Sequence, residues 1–186
     1  MGIFLVTPLT PFATAAGAAF NTFTTRQDVS PKPLPVIQGG TLQIGSVIKI
    51  EAEGEFTTTA TPTLSVGVHF GPVSGTPIPS NGFWEYTAAT VPSAATAWPW
   101  RLEWRGKVLG ALGTTCSILG MGEIELGTSL TAVGAIQIPS TAALRTVAVY
   151  DSTIANGWGI CAAWSASNAS NSITVNNITA MLIYGP

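Results

Sequence analysis

Eleven residues constrain the fold of this chain more than any others: Trp98-Pro-Trp-Arg-Leu-Glu-Trp-Arg-Gly-Lys-Val108. Trp100, Leu102, Trp104 and Val108 fall on one parity; Arg101, Glu103, Arg105 and Lys107 fall on the other. Successive side chains of a strand point to opposite faces, so this stretch reads as a ribbon with one apolar and one charged side. A helix would scatter the same residues around its circumference. The pattern recurs over Ile48 to Phe56, where Ile48, Ile50, Ala52 and Phe56 alternate with Lys49, Glu51, Glu53 and Glu55. The two polar faces carry opposite net charge. Either they are unrelated solvated faces, or they are neighbours in one sheet with opposite charges side by side, at roughly 0.2–1 kcal/mol per pair.

Charge is scarce elsewhere. The 186 residues hold 7 Lys and Arg and 9 Asp and Glu, so 9% are charged while 46% are hydrophobic. Soluble domains average roughly 25% charged. A monomer of this mass exposes roughly 8,400 Å², which leaves about one charge per 500 Å². Surfaces so poor in charge are association-prone, and the composition reads as that of an assembly subunit. A net charge of −2 without a basic run gives no reason to expect nucleic acid or an acidic membrane as partner. No run of eighteen apolar residues is present to form a spanning helix. Cys116 and Cys161 sit in apolar, strand-like contexts and read as buried free thiols.

From about Gly40 onward, short alternating segments separated by Gly, Pro, Ser and Asn predict an all-β fold: an antiparallel, jelly-roll-like β-sandwich over residues 41–186. Breaks are expected at Gly120 and Gly122, and a bulge at Asn176-Asn177. Residues 1–40 are different. They hold five of the thirteen prolines, yet also Phe4, Leu5, Phe12, Phe20 and Phe23. Disordered tails lack such side chains. The segment is therefore expected to be an extended apolar N-terminal arm, with these five residues as contacts to a neighbouring subunit or larger assembly rather than to its own domain.

The catalytic inventory is thin. His69 is the single histidine, and neither cysteine has a partner at metal-ligand spacing. His69 reads as an interface or solvent residue. The glutamates of the two ribbons, with Glu123 and Glu125, point the same way along their strands, whereas glycoside hydrolysis needs two acids facing each other across a cleft. No phosphate loop or dinucleotide fingerprint appears. A non-enzymatic protein without cofactor or metal is expected.

Three stretches carry a family resemblance. They are Gly45-Ser-Val-Ile-Lys-Ile-Glu-Ala-Glu-Gly54 with Thr61-Pro-Thr-Leu-Ser-Val-Gly-Val68, then Trp100-Arg-Leu-Glu-Trp-Arg before the glycine-rich hairpin to Gly122-Glu123, and finally Val147-Ala-Val-Tyr-Asp-Ser-Thr153 with Cys161-Ala-Ala-Trp-Ser-Ala-Ser-Asn168 and Ser172-Ile-Thr-Val175. Together they resemble structural proteins of tailed-bacteriophage virions, the minor capsid, decoration and tail-associated group. The resemblance implies a jelly-roll-like sandwich, frequently trimeric, bound to the major capsid protein on the outside of a head and assembled in the host cytoplasm. It carries no catalytic or ligand residues. The alternative is a receptor- or glycan-binding head domain of a tail fibre or tail tip, which would present exposed aromatic side chains in a groove.

Overall fold

The computed structural model describes residues 6–8, 18–59, 61–73, 84–129, 132–140 and 146–184. Among them are thirteen strands and no helix, arranged as two antiparallel sheets packed face to face. The strands are β1 (Val6–Pro8), β2 (Phe20–Asn21), β3 (Gln27–Asp28), β4 (Val36–Ile37), β5 (Val47–Thr57), β6 (Thr63–Pro72), β7 (Trp84–Thr90), β8 (Trp98–Gly110), β9 (Cys116–Ser129), β10 (Ala132–Ile138), β11 (Thr146–Tyr150), β12 (Asn156–Trp164) and β13 (Ser172–Ile183). The large sheet runs β1-β13-β5-β8-β9-β10, with β11 on the free half of β9 and β2 on the far end of β13. The small sheet runs β3-β12-β6-β7, with β4 continuing the line of β3 along β12.

The alternation in the sequence decides which side of each strand is buried. Trp100, Leu102, Trp104 and Val108 of β8 and Ile48, Ile50, Ala52 and Phe56 of β5 all point into the sandwich. So do Trp158, Ile160, Ala162 and Trp164 of β12. The centre is aromatic. Trp84 and Trp104 have ring centroids 4.4 Å apart, and Phe70 and Tyr150, 4.9 Å apart, both pack against Trp158.

Gly120 and Gly122 do not interrupt β9, contrary to the sequence reading. A Cβ at Gly120 would lie 2.4 Å from the Trp104 ring and the same distance from the Trp84 indole nitrogen. One at Gly106, opposite Gly120 on β8, would lie 2.1 Å from Trp104. These glycines make room for indoles rather than ending a strand. The bulge does occur where expected, between Val175 and Asn177 of β13.

The described part of the N-terminal segment is built into the sandwich, which corrects the boundary at residue 40. β3 and β4 pair with β12, and three further bonds extend the seam: the N–H groups of Trp164, Val29 and Trp158 donate to the carbonyls of Phe23, Ile160 and Pro35. Phe23 is buried, and Phe20 packs edge-on against it at 6.5 Å. An edge of β12 left bare would expose a row of unpaired backbone groups, and this segment covers it. Phe20 and Phe23 therefore serve their own domain. Phe4, Leu5 and Phe12 lie outside the described residues.

Candidate functional site

The two charged ribbons are hydrogen-bonded neighbours, β5 against β8. β9 lies on the other side of β8, so Glu123 and Glu125 join the same outer face of the large sheet. The register sorts the charges into rows. Glu53 faces Arg101, which faces Glu125. One step along, Glu51 faces Glu103, which faces Glu123. A further step sets Lys49 opposite Arg105. Lys107 faces Val47, and Glu55 faces Pro99. Only the first of these rows sets opposite signs side by side.

Like charges directly across a ladder destabilise it, and the in-strand neighbours offset this. The Lys49 ammonium lies 2.5 Å from Glu51 Oε1, and the Arg101 guanidinium pairs with Glu103. Shallow depressions run over this face. One of about 430 Å³ is lined by Glu103, Arg105, Met121, Glu123 and Gln137, and another of about 250 Å³ by Arg101, Glu103, Glu123 and Glu125. The carboxylates stand side by side and point outward together, so no acid faces a base across a cleft. Among the described residues, no three His, Cys, Asp or Glu side chains are grouped to hold a metal ion. The face can make ionic contacts with a polar surface.

A second polar cluster lies on the outside of the small sheet, beneath the N-terminal segment. His69 is fully buried there, not at an interface or in solvent as its sequence context suggested. Its Nε2 is 3.2 Å from Asp28 Oδ1, and the second Asp28 oxygen pairs with Lys32. The Ser30 N–H donates to Asp28 Oδ1 at 3.0 Å, and the Ile160 N–H donates to Ser30 Oγ at 2.6 Å. Burial works to raise the Asp28 carboxyl; the His69 ring, Lys32 and the Ser30 N–H more than offset it and hold the group well below the usual carboxylate range. Arg26 grips Glu85 of β7 with both arms of its fork, one contact being Nε to Oε2 at 2.7 Å.

Ser, His and Asp meet here without forming a catalytic triad. Ser30 and His69 are both buried, and the imidazole nitrogen nearest the carboxylate is Nε2. A reacting group could not enter, and Ser30 already bonds to the backbone of Ile160. The cluster pins the N-terminal segment down. Arg26, Asp28 and Lys32 are the only charged residues before Lys49. Their closeness, together with a lone His and a lone Glu in otherwise apolar strands, is the signal in the sequence that could have predicted the pins.

The thiols of Cys116 and Cys161 are free and buried, and burial pushes both upward. Trp84, Trp100, Trp104, Trp158 and Trp164 are buried, and Trp98 packs half-buried against Phe56. The indoles that might have stacked on sugar rings are committed to the core.

No protein-family model matches this chain, and no curated protein matches it. Among solved structures it is similar to a legume lectin-like domain from Entamoeba histolytica, at 10% identity and a TM-score of 0.34, over 95% of this chain and 88% of that one. It is also similar to an alginate lyase, at 10% identity and a TM-score of 0.31, over 95% and 80% of the two chains.

Proposed function

We propose that this chain is a structural, non-catalytic subunit of a tailed-phage virion, of the capsid-decoration or minor-capsid kind, working by adhesion to its own copies and to the major capsid protein. The observation that carries this reading is the segregation of charge. Ten of the sixteen charged residues lie on the outer face of the large sheet. Four more are used in the Arg26–Glu85 and Asp28–Lys32 pairs that fasten the N-terminal segment. Asp151 is the only other one among the described residues. The rest of the surface of the described residues is close to uncharged. Such surface costs little to dehydrate and gains from being covered, as an assembly subunit requires. The charged face is then left to set orientation against a polar partner.

The strand-and-turn resemblance to phage virion proteins supplies the setting. The glycan-binding alternative has no comparable support, since the tryptophans it would use are inside. A panel of antibody fragments raised against the whole purified chain, imaged on intact particles, tests the proposal. Decoration over the head surface supports it, and labelling absent from the particle removes it.

A further inference from the structure

The two ends of the sandwich differ in chemistry. At one end, residues 57–59, 91–97 and 165–171 are rich in Thr, Ser and Asn that bond to one another. The Thr59 N–H donates to Asn171 Oδ1 at 3.2 Å, and the Thr58 hydroxyl donates to the Pro92 carbonyl at 2.5 Å. At the other end, residues 38–46, 109–115 and 151–155 are joined through their backbones. The Gly40 N–H donates to the Ser152 carbonyl at 2.8 Å, the Ser152 N–H to Gly113 at 2.9 Å, and the Gly45 N–H to Val108 at 2.8 Å. The Val73 N–H at the end of β6 joins them through the Ala155 carbonyl at 3.0 Å.

These bonds gather exposed apolar side chains at one end. Ile44, Val73, Leu109, Leu112 and Ile154 are 62%, 50%, 45%, 48% and 41% exposed. The one charge in these loops, Asp151, is taken up locally: its Oδ1 accepts from the Thr153 N–H at 2.9 Å and the Thr153 hydroxyl at 2.5 Å. Beside Leu112 lies a depression of about 340 Å³ whose walls include Gly39, Gly40 and Gly113.

We infer that this end is a self-association face, on which a second copy of the same chain seats. The area fits. The five side chains expose on the order of 400 Å², and a stable interface buries about 800 Å² per partner, of which somewhat more than half is apolar. The patch is thus the apolar core of one standard interface, and polar loop residues such as Thr41, Gln43 and Thr114 supply its rim. Charge singles out this end from the other large surface. The outer face of the large sheet carries six negative and four positive groups, so a copy of itself would be repelled unless the rows aligned. The apolar end sets no charges against each other. An identical copy also brings both the projecting Ile44 and Leu112 and the glycine-walled hollow to receive them, so closed symmetry follows without a second kind of surface. The inference rests on the structural-subunit reading for its setting, but not for its test.

Sedimentation velocity of the purified full chain is the experiment, with Leu112→Glu/Ile154→Glu as the test variant and Val133→Glu, exposed on β10, as the control. Near-UV circular dichroism of the packed tryptophans confirms folding in each case. The wild type and the control are expected to sediment as one discrete oligomer. The double variant should associate about a hundredfold more weakly or worse, as loss of two central anchors implies. A milder pair, Ile44→Ser/Leu112→Ser, carries the same expectation should the glutamates disturb folding. A monomeric wild type at about 100 μM, where an association of micromolar strength would be near complete, overturns the inference. So does an oligomer that survives both double variants. Either result leaves attachment to the virion standing, because that is decided by whether the chain is on particles, and removes only adhesion between copies through this end.

Discussion

Gly159 shows how much one residue decides here. A Cβ at this position would lie 2.6 Å from Ser30 Oγ, 2.8 Å from His69 Nε2 and 3.1 Å from Asp28 Oδ1. Gly159→Ala must therefore displace the pinned segment, and the expected loss is about 1–3 kcal/mol in urea unfolding, the usual range for overpacking. Asp28 gives a pH signature. Its folded-state carboxyl lies below the unfolded value of about 4, so its contribution is complete above that pH and drains away as the pH falls below it. The stability gap between wild type and Asp28→Asn should be widest near neutrality and should narrow below pH about 4. A gap that stays constant between neutral and acid conditions would mean that the carboxylate does not hold the segment. Spacing shows Asp28 and Ser30 side by side, but not that His69 and Gly159, which lie far along the chain, complete the cluster.

The strands were the most legible part of the molecule, for a physical reason. β5 and β8 each bury one face, so period-two alternation is imposed on their sequences and can be read back, whereas β12 is buried on both faces. Two kinds of element were misread. Gly120 and Gly122 of β9 carry the ordinary mark of a turn, yet here Gly120 makes room for the Trp104 and Trp84 indoles and Gly122 for the backbone of Glu103. The segment around β3 and β4 has no periodicity, because it pairs with β12 in two-residue pieces and makes the rest of its contacts through prolines and pins. Register was equally hidden. Adjacency of the two ribbons could be guessed from their charges, but the offset that sets Glu51 against Glu103 and Lys49 against Arg105 could not. Double-mutant cycles should therefore find favourable coupling of about 0.5 kcal/mol between Glu53 and Arg101, and unfavourable coupling of about that size between Glu51 and Glu103. Favourable coupling at both pairs would contradict the register.

For the whole molecule, the sparse charge visible in composition becomes informative once the fold places it. The sequence shows sixteen charged residues; among the described residues the structure shows ten of them on one face, four spent on fastening, and Asp151 bonded within its own loop at an otherwise apolar end. Composition could suggest an assembly subunit, but it could not say which surfaces are available, since the loops that form the apolar end are far apart in the chain. On the proposed reading, one face serves orientation and the neutral surfaces are for burial, and the chain should accumulate in particles in proportion to the shell it coats. Quantitative mass spectrometry of gradient-purified virions, scaled to the major capsid protein, measures this directly. The account predicts copies comparable in number with the capsid lattice positions, hundreds per particle. A handful of copies per particle, or none, would contradict it.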